Sequence, residues 1–515
     1  MSQDNLHNHL LHYSQSQVDS YAHLPRINHP DGTRKLVENP DLWFACKINA
    51  TLKTSSASEI YWQKMELPKE NQDKFITGLR NHSINRQHMG AFIVGGIDFE
   101  VISSSLVSNA FTQGKFYRMQ QQTRRSVILD SIISNPVIDQ LDEVKSSYEE
   151  RFSIYWDIVD KRPSKTLGFD PYIQDAFKIL PLSTKTKFSG NMDLRTAKAY
   201  TRWRELSYLP DAVTEFANLL YQSVLEEYPI MFQSHFLNDS QDADAIQLEM
   251  INKVGSQDLL HEPMLWYADH TYLLPENKYF ETIYNNLNLK DQFKESGSNS
   301  IFMGYFNPLG ISLDDLLELF NNKTEASKSM AELACFAFIS RIDISGGIDT
   351  WRHTRNNRII QPIYHALDNN PTVATPVLLQ RQEKKAESDL PQIYREQSLN
   401  SIKLYHSLVK QGIPKKEAVN VVPHTLELYQ IEMMDLFSFL NVMALRTCIH
   451  SRPDVQLWSK SLLREVSKTQ DFKGLDQLLQ DGILARGIQF GYCAELGNCR
   501  KCGKDVVYLP DPMRS

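Results

Sequence analysis

Apolar positions along the chain follow two spacings, and these predict different elements. Two short runs rich in β-branched and aromatic residues, 91–101 (AFIVGGIDFEV) and 334–344 (ACFAFISRIDI), predict strands. Downstream of Pro423, apolar residues recur at the spacing of one helical face and predict a helix that begins near position 426. Its stripe consists of Leu426, Tyr429, Met433, Leu436, Leu440 and Met443. The pattern therefore predicts a mixture of strands and helices.

The corresponding stretch of the first half is more polar and strongly basic. It is also predicted to be helical, and its charged residues are Lys185, Lys187, Arg195, Lys198, Arg202 and Arg204. The chain as a whole is acidic, with a formal net charge of −7. A helix so basic in such a chain favours a ligand-binding face over plain surface, and a solvated charged face is the alternative.

One stretch of sequence occurs twice. The first reading contains Asp175-Ala176, Pro181, Met192-Asp193-Leu194, Arg204, Pro210-Asp211 and Leu219-Leu220. The second contains Glu417-Ala418, Pro423, Met434-Asp435-Leu436, Arg446, Pro453-Asp454 and Leu462-Leu463. The offset is 242 residues through the arginine and 243 after it. A repeat of this period has the length of a whole domain rather than of a solenoid unit, so the sequence predicts a tandem duplication.

The repeat suggests boundaries. A chain of 515 residues is too long for one core. We predict a first copy at 36–240 and a second at 250–475. Residues 1–35 are polar and are predicted to form a loosely held arm, and 476–515 form a tail that contains cysteines.

Composition narrows the class of protein. Hydrophobic residues make up 42% and charged residues 23%, which is typical of a soluble globular chain. The acidic net charge argues against general binding to nucleic acid or to an acidic membrane. No apolar stretch approaches the roughly 18 residues of a membrane span. The N-terminal segment lacks the basic and apolar regions of a secretory signal, and six cysteines do not suggest a disulfide framework. We therefore expect a cytoplasmic protein.

In the first half, two segments contain histidines and arginines at characteristic spacings. His82 and His88 bracket the run HSINRQH, and positions 120–125 read QQQTRR. Between them, 113–115 read QGK. Further on, Asp193-Leu194-Arg195 and Arg204 lie in the repeated stretch.

In the second half, Arg352-His353 follow a tryptophan, and Leu445-Arg446 lie in the repeated stretch. Together the two halves resemble the flavin-dependent thymidylate synthase family, whose signature contains His-x-Ser-x-x-Glu-His, Arg-His-Arg and Asn-Glu-x-Ser-x-Arg segments. Each half keeps only part of it. In the first half QGK replaces Arg-His-Arg, and Phe177 replaces a family arginine. In the second half the segment after His353 lacks the Asn-Glu-x-Ser-x-Arg portion.

The resemblance implies a fold and a reaction. The fold class is α/β (α+β), with two tandem homologous domains that each contain a small, mainly antiparallel sheet with flanking helices. The reaction is the reductive methylation of dUMP to dTMP, with methylenetetrahydrofolate as carbon donor, FAD as redox carrier and NADPH as reductant. Because the family forms homotetramers, a duplicated chain is expected to form a homodimer that acts as a pseudo-tetramer, with neither nucleic acid nor membrane as a partner.

The resemblance also implies roles for individual residues. The first half corresponds to the substrate part of a site and the second half to the flavin part. The residues implied in nucleotide binding are Gln121, Gln122, Thr123, Arg125, Arg204 and Arg446, of which Arg125 and Arg204 are the catalytic candidates. The residues implied in flavin binding are His88, Lys115, Arg195, Arg352 and His353. Planar guanidinium groups suit phosphate binding, and the alternative for the arginines is pairing with acids in a dimer core.

Two further readings of the function stay open. One is a repurposed or non-catalytic homologue that binds flavin or nucleotide. The other is a flavin-dependent methylase of a different pyrimidine nucleotide, in which only the substrate part of the site has changed.

The tail carries a separate signal. Cys493, Cys499 and Cys502 include a Cys-x-x-Cys-Gly segment of the kind that occurs at structural zinc sites. A closed site needs a fourth ligand, for which Cys448 and His450 are candidates. The alternative is a tail of reduced thiols.

Overall fold

Two four-stranded antiparallel sheets lie at the centre of the structure, one in each half of the chain. The computed structural model describes residues 10–50, 55–85, 96–112, 117–121, 129–160, 171–232, 273, 278–296, 299–306, 334–351, 357–377, 379–380, 389–447 and 451–468. The strands are β1 (His12–Ser14), β2 (Gln17–Ala22), β3 (Arg26–Asn28), β4 (Arg34–Leu36), β5 (Gly96–Ser104), β6 (Tyr117–Gln121), β7 (Ser131–Ile133), β8 (Lys185–Asp193), β9 (Ser300–Phe306), β10 (Cys335–Asp343), β11 (Asn357–Ile360) and β12 (Glu427–Asp435). The first sheet has the order β2-β5-β8-β6 and the second the order β9-β10-β12-β11.

Helices flank both sheets. In the first half they are α1 (Pro40–Ala50), α2 (Ala57–Met65), α3 (Lys69–Asn85), α4 (Ser105–Thr112), α5 (Asp142–Asp160), α6 (Pro171–Ala176), α7 (Leu194–Thr201) and α8 (Asp211–Glu227). In the second half they are α9 (Lys278–Asn286), α10 (Leu289–Ser296), α11 (Ile344–Trp351), α12 (Ile363–Asp368), α13 (Leu390–Lys410), α14 (Lys415–Ala418), α15 (Leu436–Arg446) and α16 (Pro453–Ser467). The predicted mixed α/β class with antiparallel sheets is confirmed. No helix among the described residues has the length and apolar character needed to cross a bilayer.

The central strand pairs of the two sheets have the same length and register. In the first sheet β5 pairs with β8 from Gly96 opposite Asp193 to Ser104 opposite Lys185. In the second, β10 pairs with β12 from Cys335 opposite Asp435 to Asp343 opposite Glu427. Strands β8 and β12 lie 242 residues apart, the offset of the sequence repeat. The equivalent stretches of sequence thus form equivalent strands, although the predicted domain boundaries stay predictions.

The prediction of a helix from position 426 is wrong for its first part, because 427–435 form strand β12. Its inward residues, such as Leu428 and Met434, are buried. Its outward residues Tyr429 and Ile431 pack against α10, and the rings of Tyr429 and Phe293 lie 5.2 Å apart. Because both faces of the strand are covered, apolar residues occur on both, and this removes the simple alternation of a half-exposed strand.

The prediction of one long basic helix in the first half is wrong for 185–193, which form strand β8. Lys185 and Lys187 lie on strand β8, and α7 begins only at Leu194. The strand ends where the carboxylate of Asp193 accepts a hydrogen bond from the backbone N–H of Thr196 at 2.7 Å. Asp435 caps α15 in the same way through Ser438, at 2.6 Å. Such caps satisfy the first free N–H groups of a helix and determine where it begins.

The polar N-terminal segment is not a loosely held arm along its described length. Strand β2 pairs with β5 from Gln17 opposite Ile102 to Ala22 opposite Ile97, so it forms an edge of the first sheet. The carboxylate of Glu227 accepts a hydrogen bond from the N–H of Ala22 at 2.9 Å. Polar side chains on this strand reflect its exposed outer face rather than disorder. The predicted strand 91–101 is confirmed from Gly96 and extends to Ser104, and 334–344 contains β10 as predicted.

The halves meet through a local two-fold arrangement of backbone. Pro181 and Pro423 face each other in an isolated antiparallel bridge. The N–H of Leu182 donates to the carbonyl of Val422 at 2.9 Å, and the N–H of His424 donates to the carbonyl of Leu180 at 3.3 Å. The two hydrogen bonds join equivalent positions of the repeat in exchanged roles. A single hydrophobic cluster continues across this junction from the first sheet to α13 and the start of β12.

Two aromatic rings complete the junction. Phe177, which stands in place of an arginine in the resemblance, is buried. Its ring packs edge-on against that of His424 with centroids 5.1 Å apart, and the imidazole Nδ1 of His424 lies 2.8 Å from the carbonyl oxygen of Leu180. Position 177 thus serves contact between the halves.

Buried charges reinforce the same contact. The ammonium of Lys178, 1% exposed, lies 2.9 Å from carboxylate oxygens of both Asp343 and Asp454. Arg452 binds Asp454 at 3.0 Å and donates to the carbonyl of Ser345 at 2.8 Å. Burial alone would lower the pKa of Lys178, but the two carboxylates outweigh it and raise that pKa. Burial alone would raise the pKa of Asp454, yet Arg452 and Lys178 hold it below its usual range.

Gly346, at the start of α11, leaves room for the carboxylate of Asp454 to lie close to the backbone of this helix. A Cβ at Gly346 would lie 2.8 Å from the carboxylate of Asp454. The N–H of Gly346 donates to Asp343 at 2.7 Å, so the helix start and the charge cluster share a carboxylate.

We predict that Lys178→Met lowers the free energy of unfolding by about 3–5 kcal/mol, because it leaves two buried carboxylates without their shared cation. Chemical denaturation of the full chain measures this. The matched control is Lys415→Met, which removes an exposed ion pair with Asp368 and should cost less than about 1 kcal/mol. The depressed pKa of Asp454 contributes stability above the usual carboxyl range and loses it as the pH falls below about 4. Similar losses in the two variants would show that the buried cluster does not hold the halves together.

Candidate functional site

Arg204 lies in a short 3-10 turn, 202–205, that directly follows α7. Its guanidinium carbon is 3.6 Å from the centre of the Tyr221 ring, which fixes the plane of the group. One edge of the guanidinium approaches Glu205, with Nη2 and Oε1 3.4 Å apart. The other nitrogen, Nη1, is buried and has no hydrogen-bond partner within the described part of the chain. A buried cationic donor in this state is suited to a ligand.

Arg204 is one of three arginines whose charges act on the buried Lys198. Lys198 on α7 is only 5% exposed, Arg202 lies beside it in the 3-10 turn, and Arg80 comes from α3. Arg80 donates to the carbonyl of Ile230 at 3.2 Å, and the ammonium of Lys198 lies 5.6 Å from the ring of Phe232 in the same segment. We call Arg80, Lys198, Arg202 and Arg204 the cationic cluster.

Electrostatics distinguish this cluster from an ordinary charged face. Burial lowers the pKa of Lys198 to about 7, and the positive charges of Arg202, Arg204 and Arg80 act in the same direction. Glu205 partly offsets them and lies 3.5 Å from Arg202. Because several positive charges occupy a partly desolvated space, an anion that enters it gains more than it would on an open surface.

The equivalent place in the second half lacks two of these cations. At the offset of 242, leucine stands at 440 and alanine at 444 in place of Lys198 and Arg202. Arg446 keeps the position of Arg204, but its Nη2 donates to the carbonyl of Asp349 at 2.7 Å. Burial, together with Arg452, lowers the pKa of Arg446 to about 10. The two halves therefore differ in chemistry at equivalent positions of the same scaffold.

The described structure reaches only some of the predicted site residues. Arg204 and Arg446 are described fully, and Gln121 and Arg195 are described by their backbone. Gln121 ends β6, the edge strand of the first sheet, opposite Phe188. The remaining predicted ligand-binding residues lie outside the described residues: His88, Lys115, Gln122, Thr123, Arg125, Arg352 and His353. Their roles stay predictions.

Arg195 and Arg204 do not lie on one continuous α-helix. The α-helix ends at Thr201 and a tighter 3-10 turn follows, so the rotation of one continuous α-helix does not relate the two residues.

Three residues of this region were not among the predicted site residues. Lys198 and Arg202 lie in the basic stretch for which the sequence favours a ligand-binding face, so the sequence does indicate them as candidates. Arg80 carried no such signal, because only the folded chain brings α3 beside the 3-10 turn. For the predicted zinc site, Cys493, Cys499 and Cys502 lie outside the described residues, and the described ranges contain no cluster of three potential metal ligands.

Comparison with known proteins identifies part of the chain. The family model described as thymidylate synthase complementing protein matches residues 343–470. A flavin-dependent thymidylate synthase of Pyrococcus abyssi (strain GE5 / Orsay) is 24% identical over 111 residues. Residues 343–470 are therefore similar to the flavin-dependent thymidylate synthase family.

The likeness is partial. The match to the curated Pyrococcus relative covers 22% of this chain and 45% of that protein's length. Among solved structures, the UMP/dUMP methylase PolB from Streptomyces cacaoi, bound with 5-Br dUMP, aligns with a TM-score of 0.32 and 12% identity. That alignment covers 42% of this chain and 94% of the other. The matched family region includes α11, β12, α15 and α16, and thus Arg446 but not the cationic cluster.

We predict that Lys198→Met stabilises the ligand-free protein by about 1–3 kcal/mol at pH 6.5, because it removes a buried, repelled charge. The lowered pKa means that the unfolded chain binds more protons between about pH 7 and pH 10, so wild-type stability rises across that range. The advantage of the variant should therefore shrink toward pH 9.5. Thermal unfolding at both pH values measures it, with Lys187→Met on the exposed face of β8 as control. A pH-independent difference would mean that Lys198 keeps its ordinary pKa.

Proposed function

We propose that this chain is a flavin-dependent enzyme that methylates a pyrimidine nucleotide, with dUMP as substrate and dTMP as product. The observation that carries the proposal is the buried Nη1 of Arg204, which has no hydrogen-bond partner among the described residues, in a chain whose residues 343–470 match the thymidylate synthase complementing protein family model. Methylenetetrahydrofolate is the proposed carbon donor and NADPH the proposed reductant.

The donor set fits phosphorylated molecules such as dUMP and FAD, because guanidinium and ammonium groups bind phosphate by charge and by directed hydrogen bonds. Arg195, His88, Lys115, Arg352 and His353 are the residues proposed to hold FAD. When bound, FAD supplies the redox chemistry of the reaction.

The nucleotide side of the proposal uses this chain's own charges. Arg204 is held in place by Tyr221 and Glu205, so little reorganisation is needed when its free edge meets an anionic oxygen. Arg204 and Arg125 supply positive charge to the nucleotide and stabilise the enolate-like charge that develops on the uracil ring as C5 becomes nucleophilic. Gln121, Gln122 and Thr123 are proposed to orient the nucleotide through hydrogen bonds, and Arg446 is proposed as a further contact from the second half.

We also propose that the halves are copies of one ancestral domain and that the chain forms a homodimer equivalent to a tetramer. The equal registers of β5–β8 and β10–β12 support the duplication, as does the exchange of hydrogen bonds around Pro181 and Pro423. In this arrangement the first half supplies most of the proposed nucleotide contacts, and the second half contributes Arg352 and His353 to the flavin.

The first experiment is the visible spectrum of the purified full chain with and without dUMP. We expect bound flavin, a spectral change on addition of dUMP, and growth of a thymidine-requiring strain that expresses the chain. Colourless protein that takes up no FAD would exclude both flavin-dependent readings. Flavin binding without rescue would exclude dUMP and favour another pyrimidine nucleotide.

Two variants test the division of labour. We predict that Arg204→Gln weakens dUMP binding at least tenfold and leaves flavin occupancy unchanged, since it removes a charged donor from the nucleotide side. Arg352→Ala should lower flavin occupancy. Titration of dUMP and the absorbance ratio of flavin to protein measure the two effects. Lys187→Met serves as the control for the loss of one positive charge. If both variants lose both ligands equally, the halves do not divide the site.

A further inference from the structure

The cationic cluster combines four positively charged residues from three elements of the first half. It brings together Arg80 from α3, Lys198 from α7, and Arg202 and Arg204 from the 3-10 turn, while Glu205 contacts the last two. The residues are mostly enclosed: Lys198 is 5% and Arg202 9% exposed. Enclosed cations attract an anion more strongly than cations on an open surface do, because less solvent screens the interaction.

The contacts of Arg204 hold its guanidinium group in one orientation. The stacking of Arg204 on Tyr221 fixes its guanidinium plane, and the pairing with Glu205 occupies Nη2 rather than Nη1. Nη1 is buried and lacks a hydrogen-bond partner among the described residues. An oxygen of a tetrahedral anion satisfies such a donor and accepts from neighbouring cations at the same time.

The second half serves as an internal comparison. Its scaffold repeats the strand, the aspartate cap and the arginine, yet it has leucine and alanine where the first half has Lys198 and Arg202. The fold alone therefore does not require cations at these positions.

We propose that Arg80, Lys198, Arg202 and Arg204 form one binding site for a phosphate ester in the first half. Lys198 and Arg202 are the residues that distinguish it from the second half. The proposal rests on the proposed function in one respect, which is the source of the phosphate. That source is either the monophosphate of the nucleotide or the diphosphate of the flavin. Its existence as an anion site is independent of methyl transfer.

The protonation of Lys198 gives the site a distinctive pH dependence. The charged groups that face it are Arg80, Arg202, Arg204 and Glu205, and Phe232 adds an apolar surface. Its pKa of about 7 rises when an anion binds, so affinity falls as the pH increases from about 7 to 9. Arginine at this position stays charged throughout that range and would remove the effect.

The test uses sulfate, which remains a dianion from pH 6.5 to 9, with the full-length protein and isothermal titration calorimetry. Wild type should bind sulfate at least fivefold more weakly at pH 9 than at pH 6.5. Lys198→Met should weaken binding at least tenfold at pH 6.5, and Lys198→Arg should keep affinity and lose the pH dependence. Lys187→Met, on the exposed face of β8, is the matched control and should equal wild type. Sulfate binding that is unchanged in Lys198→Met, or a pH profile that persists in Lys198→Arg, overturns the proposal.

Paired ligands then identify the phosphate. If Lys198→Met weakens dUMP but not deoxyuridine, the site holds the nucleotide phosphate; if it weakens FAD but not riboflavin, it holds the flavin diphosphate. Either result supports the site, and an unchanged affinity for both dUMP and FAD contradicts it. Sulfate binding with the expected profile in a protein that fails to rescue thymidine growth would reject the dUMP function and leave the anion site standing.

Discussion

The antiparallel contact at Pro181 and Pro423 is the constraint on which the arrangement of the halves depends. It aligns the repeated segments about a local two-fold axis, and the Lys178 ammonium bridges the contact by binding two carboxylates of the second half. A buried ion cluster adds little net free energy compared with apolar packing, but breaking it is costly. It therefore specifies one relative placement of the halves. The charge-free apolar cluster around it supplies the larger share of stability.

A rigid junction allows chemistry to diverge at the ends of the same strands. The Asp193 and Asp435 caps start equivalent helices at equivalent strand ends. Beyond the caps, one half buries Lys198 and Arg202, and the other half places leucine and alanine there. The arginine common to both halves then has different surroundings. Among the residues that the structure describes, Arg204 Nη1 has no hydrogen-bond partner, whereas Arg446 donates to a backbone carbonyl. Local sequence, rather than the fold, determines the charge at these equivalent positions.

The sequence predicted the fold class and the β10 strand, because these depend on local composition and on the spacing of apolar residues. The sequence-based predictions were wrong where contacts with distant parts of the chain, rather than local residue spacing, determine the secondary structure. Strand β12 resembled a helix because α10 buries Tyr429 and Ile431 on its outer face. The N-terminal strand looked disordered because its exposed face is polar. Arg80 lies near the cluster only because distant parts of the chain pack together, and residue spacing along the sequence does not predict such packing.

A covalently joined pair of copies can hold asymmetry that a symmetric oligomer cannot. In a homo-oligomer every substitution occurs at all equivalent positions, so the desolvation cost of an enclosed cationic cluster is present in each subunit. If the halves are copies, fusion confines that cost to one of them. The second half can then have apolar residues, Leu440 and Ala444, at the positions equivalent to Lys198 and Arg202. The asymmetry of charge at positions 198 and 202 is, on this view, a consequence of duplication within one chain, and it requires the fixed junction that keeps the two halves together.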